Sequence, residues 1–126
     1  MKNSDNGEIF GAWTQARLYF GFSESNDFRD STSFLFNLKS RKTWKCKTNF
    51  DDTLETVDSS SKWVFFSEND YVHDLAIRNT NGFQAAASRA GLQGYMVDRD
   101  GSGINLLTKS ADGKEVKLSV MEIWEL

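Results

Sequence analysis

Apolar side chains recur at every second position along most of this chain, and that repeat constrains its fold more than any other feature. A two-residue period places alternate side chains on opposite faces of an extended backbone, whereas a helix needs a period of about 3.6. Over residues 9–22, Phe10, Ala12, Ala16, Leu18, Phe20 and Phe22 share one face, opposite Trp13, Gln15, Arg17 and Tyr19. This predicts one long strand, or two with a bend at Gly11 or Gly21. Phe34, Phe36 and Leu38 then alternate with Leu35, Asn37 and Lys39. Beyond the short connector at 40–42, Trp44, Cys46, Thr48 and Phe50 alternate with Thr43, Lys45, Lys47 and Asn49. The pair predicts a hairpin with one aromatic and one basic face. Residues 62–66 have strand composition, and Tyr71, His73, Leu75 and Ile77 share a face further on. Gln93, Tyr95 and Val97 predict another strand. A closing hairpin is predicted from 104–109 and 114–120 around Ser110-Ala111-Asp112-Gly113, with Val116, Leu118 and Val120 on one face. The apolar stretch 121–126 is expected to be paired into a sheet.

The chain has no proline, so its turns fall to Gly, Asn, Asp and Ser. Asn79-Thr80-Asn81-Gly82 and the run at 98–103 are the strongest such signals. Residues 83–90 stay open between a short helix and a strand: Gln84 to Ala90 has helix propensity, but barely two turns of it. Eight or nine short strands joined by tight turns predict an all-β, mainly antiparallel fold, an up-and-down meander closing into a small barrel. The 126 residues fit one domain, over 9–126, behind a polar flexible leader at 1–8. Ten Phe, four Trp and three Tyr suit pleated, half-buried surfaces.

Gly11-Ala12-Trp13 near the start, and Gly94-Tyr95-Met96-Val97-Asp98 followed by a Leu-rich run and an Asp-Gly turn, resemble the calycins. That group includes lipocalins, fatty-acid-binding proteins and small lipocalin-like domains. The resemblance implies a β-barrel with Trp13 plugging one end. It does not carry a ligand class with it. Residues 23–32 are too short for the two-helix lid of fatty-acid-binding proteins, and 121–126 lacks their carboxylate-holding Arg and Tyr.

A formal charge of −3 supplies no global basic field to draw the chain onto nucleic acid. Lys39, Arg41, Lys42, Lys45 and Lys47 do cluster around Trp44, but alternation puts Trp44 on the face opposite Lys45 and Lys47. Lysines guarding a sheet edge are the expected meaning, and nucleic acid is not an expected partner. No apolar run is long enough to span a membrane. The compartment stays open: the polar start reads as cytoplasmic on the chain as given, with exported or periplasmic as the alternative if a leader was removed. Cys46, the single cysteine, reads as a small buried hydrophobe. Asp98-x-Asp100-x-Ser102 imitates half of a calcium loop, but Lys109 stands where a bidentate Glu is required. His73 is the only histidine, and the carboxylates near it (Glu68, Asp70, Asp74) have no fixed geometry in sequence. No catalytic residue, metal site or cofactor is therefore assigned.

Two functions fit. In the first, a non-enzymatic barrel encloses a small hydrophobic or aromatic ligand. Its lining would come from Trp13, Leu18, Phe20, Phe34, Phe36, Trp44, Tyr71, His73, Tyr95 and Trp124. In the second, a small acidic inhibitor or immunity-type protein binds a protein target through its surface. Sequence does not fix the oligomeric state.

Overall fold

The computed structural model describes residues 1–16, 25–28, 30–46, 54–57, 64–67, 73–92, 94–95 and 97–125. These residues form ten strands and no helix. The strands are β1 (Lys2–Asn3), β2 (Phe10–Trp13), β3 (Ser25–Phe28), β4 (Phe34–Asn37) and β5 (Lys42–Lys45), then β6 (Leu54–Val57), β7 (Val64–Ser67), β8 (His73–Thr80), β9 (Phe83–Ser88) and β10 (Glu115–Val120). All pair antiparallel, in a seven-stranded sheet ordered β1-β10-β9-β8-β7-β6-β3 and a three-stranded sheet ordered β2-β4-β5.

The β8–β9 hairpin shows local chemistry choosing structure. Thr80 pairs with Phe83, and the two residues between them, Asn81 and Gly82, have φ of 50° and 77°. Positive φ at both positions is what a type I′ turn demands, and Asn-Gly supplies it at least cost. The turn sets the register that makes 83–88 a strand. β9 pairs with β8 on one side and β10 on the other, and that double pairing outweighs a weak helix preference.

β1 joins the two sheets. Lys2 pairs with Val120 of β10 and bridges to Ile9, just before β2. The Met1 amine donates to the Phe10 carbonyl at 3.0 Å, and the Phe10 amide donates to the Met1 carbonyl at 3.1 Å. Residues 1–8, expected as a loose leader, are thus built into the fold. Strand pairing runs from β3 to β1, and the single Lys2–Ile9 bridge links that sheet to β2-β4-β5. Among the described residues β3 and β5 do not pair, so these pairings do not close a barrel.

One core cluster draws on both sheets: Phe10, Leu35, Trp44 and Cys46 from the small sheet side, and Val64, Phe66, Leu75, Ala86, Val116 and Leu118 from the large one. Three further stretches depart from their expected form. Residues 94–95 and 97 lie outside any strand, although Tyr95 and Val97 are buried as alternation predicts. Residues 104–109 form a turn-rich plug in place of a strand, tied to 111 by a single bridge, and β10 takes β9 as partner instead. The plug buries Leu106 and Leu107. Residues 121–125 are unpaired, with Ile123 77% and Trp124 79% exposed.

Three asparagines, all at most 1% exposed, hold the plug in place. Asn105 accepts from the amides of Leu107 and Thr108 and donates to Ser88 Oγ and Asp112 Oδ1. Asn37 donates to the Leu107 carbonyl and to Glu8, and accepts from the amide and hydroxyl of Ser40. Asn3 donates to the Thr108 carbonyl and to Ser110, and accepts from the Asp5 amide. An irregular segment has backbone groups that no sheet satisfies, and a buried amide offers both donors and acceptors to replace the missing ladder.

Candidate functional site

The expected lining residues do not gather around one space. The structure divides them by face. Leu35 pairs with Trp44, and Phe34 with Lys45. The four-residue connection at 38–41 pairs even-numbered residues with odd ones, so Phe34 and Phe36 cannot share a face with Trp44. Leu35, Asn37, Trp44 and Cys46 point inward and are buried. Phe34 and Phe36 therefore point outward, which corrects their expected inward placement. Trp13 joins them because it pairs with Phe34. Leu38, also expected inward, lies in the connection and is 58% exposed.

The result is an aromatic outer face on β2-β4-β5. Trp13 and Phe34 stack across strands, with ring centroids 5.5 Å apart and planes 20° from parallel. Phe36 follows at 6.2 Å from Phe34, tilted by 55°. Its ring lies over Gly11, directly opposite in the ladder: a methyl group there would meet Phe36 Cζ at 2.6 Å. The glycine lets the ring lie down on the sheet. All three rings are half-buried, and the third strand adds exposed Thr43 and Lys45 in the same two rows.

The other expected residues go elsewhere. Trp44 and Tyr95 are core residues at 5% and 1% exposure. The Trp44 indole nitrogen donates to Asp98 Oδ2 at 3.1 Å. The Tyr95 ring meets Phe66 edge-on at 6.0 Å. Trp124 sits on the exposed tail. Leu18, Phe20 and Tyr71 lie outside the described residues. His73 leaves the Leu75 face because a bulge intervenes: Phe66 pairs with Leu75 but Ser67 pairs with His73, leaving Asp74 as the extra residue. His73 then lines an open cleft of about 150 Å³ with Ala76, Arg78, Ala87, Ser88, Arg89 and Gly113.

A second constellation is buried and polar. Ser33 Oγ donates to the Asp30 carbonyl at 2.7 Å, so the Tyr95 hydroxyl, 2.8 Å away, donates to Ser33. The Tyr95 amide donates to fully buried Asp74 at 3.2 Å. Burial pushes both the Tyr95 hydroxyl and the Cys46 thiol above their ordinary pKa values, and the nearby carboxylates Asp30 and Asp74 add to the rise. A thiol held protonated is a poor nucleophile. Asp30 goes the other way. Burial raises its pKa, but bonds from Thr14, Thr32 and two backbone amides outweigh burial and hold it below the usual value. This cluster is hydrogen-bonded architecture joining 14–16 to 30–33.

The imitation calcium loop is likewise spent on local bonding. Asp100 accepts from the amide and hydroxyl of Ser102, while Asp98 serves Trp44. No group of three or more His, Cys, Asp or Glu side chains converges among the described residues. No helix there is long and apolar enough to cross a membrane. No family model, curated protein or solved structure matches the chain.

Proposed function

We propose that this chain is a non-enzymatic binding module that meets its partner through the outer face of β2-β4-β5. The observation that carries this reading is the row of three half-buried rings, Trp13, Phe34 and Phe36, on the solvent side of a sheet. Aromatic side chains in a contiguous outward patch supply large contact area at little entropy cost and dominate binding energetics. With the second function the sequence allows, it shares only the use of a surface. Closing the meander into a barrel by joining β3 to β5 would leave the same face outward.

The dispersal of the expected lining residues supports contact over enclosure. The decisive experiment places a photoactivatable phenylalanine at position 43, on the aromatic face, and separately at position 117, on the outer face of the large sheet. A discrete adduct formed in extract from position 43 alone is the expected outcome. Equal labelling from both positions, or labelling from 117 alone, refutes the reading. Saturable uptake of a small apolar ligand that shifts Trp44 emission, with no adduct from position 43, would return the function to an interior pocket.

A further inference from the structure

We propose that the aromatic face binds single-stranded nucleic acid. This rests on the surface-binding reading above and names the partner class. The ladder gives one row, Trp13–Phe34–Lys45, and a second, Gly11–Phe36–Thr43. Rings occupy two strands and a cation stands on the third. At the end of the same hairpin Arg41 is exposed, and neither it nor Lys45 makes an ion pair among the described residues; Lys42 pairs with inward-facing Asn37 and belongs to the other face. Planar rings side by side with unpaired cations match the two features of an unpaired strand: bases free to stack and phosphates needing neutralisation.

Other partners match only part of this surface. A sugar ring stacks on aromatics but needs carboxylate or amide groups to hold its hydroxyls, and none of the six residues in the two rows is acidic or an amide. An acidic peptide satisfies the cations but offers the rings nothing flat. Duplex DNA hides its bases from a flat sheet. One sequence argument against nucleic acid, beside the net charge, is that Trp44 faces away from Lys45. That is so, but Trp13, Phe34 and Phe36 share the face of Lys45. The net charge of −3 confines the attraction to this face and makes it dependent on salt.

The test is fluorescence anisotropy of the whole chain with labelled oligodeoxythymidine and oligouridine, and with a duplex of equal length as control. Binding to the single strands is expected at low salt, with little to the duplex. With Arg41 and Lys45 on phosphates, log K should fall against log salt with a slope of about −1.4. Phe34→Ala and Lys45→Glu should each weaken binding about tenfold or more. Lys45 is exposed, so its variant keeps the fold and stands as the test if Phe34→Ala does not fold. Saturable binding indifferent to both variants overturns the proposal. So does the absence of single-strand binding at low salt: a persisting protein adduct from position 43 then leaves the surface-binding reading standing, whereas no adduct removes both.

Discussion

The outer faces of the two sheets solve the same problem in opposite ways. On the large sheet, β8, β9 and β10 present Ala76, Ala85 and Ala87 outward in the rows Ala76–Ala87–Glu115 and Arg78–Ala85–Lys117. Ala85 and Ala76 are nonetheless 0% and 2% exposed. Long side chains roof them: Arg78 reaches Glu115 at 3.6 Å, and Lys117 lies 5.4 Å from the Phe83 ring centroid. Charged stems cover the small residues and keep their heads in water. On the small sheet the residues are large, only Gly11 is covered, and Phe36 covers it. One face is roofed by its own long side chains; on the other, three aromatic rings stay half-buried.

The strongest challenge to this contrast compares neighbours on β4. Leu35→Ala, on the inward face, should cost about 2–5 kcal/mol. Phe34→Ala, one residue away and outward, should cost about 1 kcal/mol or less. Urea midpoints at unchanged m-value measure both, and equal losses would mean that the two residues do not face opposite ways. Next in size is Ala85→Leu, which forces a side chain under the Arg78–Lys117 roof and should cost about 1–3 kcal/mol by overpacking. A neutral result in thermal unfolding would show the roof to be loose.

A smaller effect separates the frames of the two sheets by pH. Asp30 ties residue 14, beyond β2, to residue 32, before β4, and its pKa is depressed. A carboxylate with a depressed folded pKa adds stability above its unfolded pKa, and that contribution is lost as pH falls through the folded value. Stability should therefore decline with acid below the ordinary carboxylate range, and Asp30→Asn should flatten the decline. An unchanged slope in denaturation midpoints against pH would contradict this. The smallest effect belongs to Arg78 and Glu115, whose side chains are 32% and 31% exposed. Their double-mutant coupling should be about 0.3–1 kcal/mol and should shrink in high salt. A larger, salt-insensitive value would make the roof a main support of the large sheet.

What sequence reveals here divides along similar lines. The antiparallel all-β class is legible from alternation, and the β8–β9 turn from Asn81-Gly82, because both are local properties. The faces of β4 are not: Phe34-Leu35-Phe36 is apolar on both sides, so either parity satisfies the pattern. The parity lies in the four-residue connection and in Asn37, whose buried amide serves the plug rather than the strand. The same holds for the plug. Ile104-Asn105-Leu106-Leu107 lacks alternation, and Asn105 two residues before an amide it captures is the available hint of a turn. The bulge at Asp74 and the tail at 121–125 depend on distant packing, which alternation does not encode. The aromatic face was present in the sequence as a list of rings. What was missing was which side they share with Lys45.

The two-residue strand β1 has a consequence for the order of assembly. It is held by Val120 and Leu118 on one side and by residues 9–10 on the other, and the Asn3 amide reaches Thr108. Hairpins such as β8–β9 can zip up from neighbouring residues. The bonds from residues 2–3 to 108–120 have to wait until those two segments meet, an encounter across more than a hundred residues. A slow, late docking step should follow fast hairpin formation. During synthesis residues 1–3 can fold back onto 8–10 early, while their bonds to 108–120 form only once that later segment has been made.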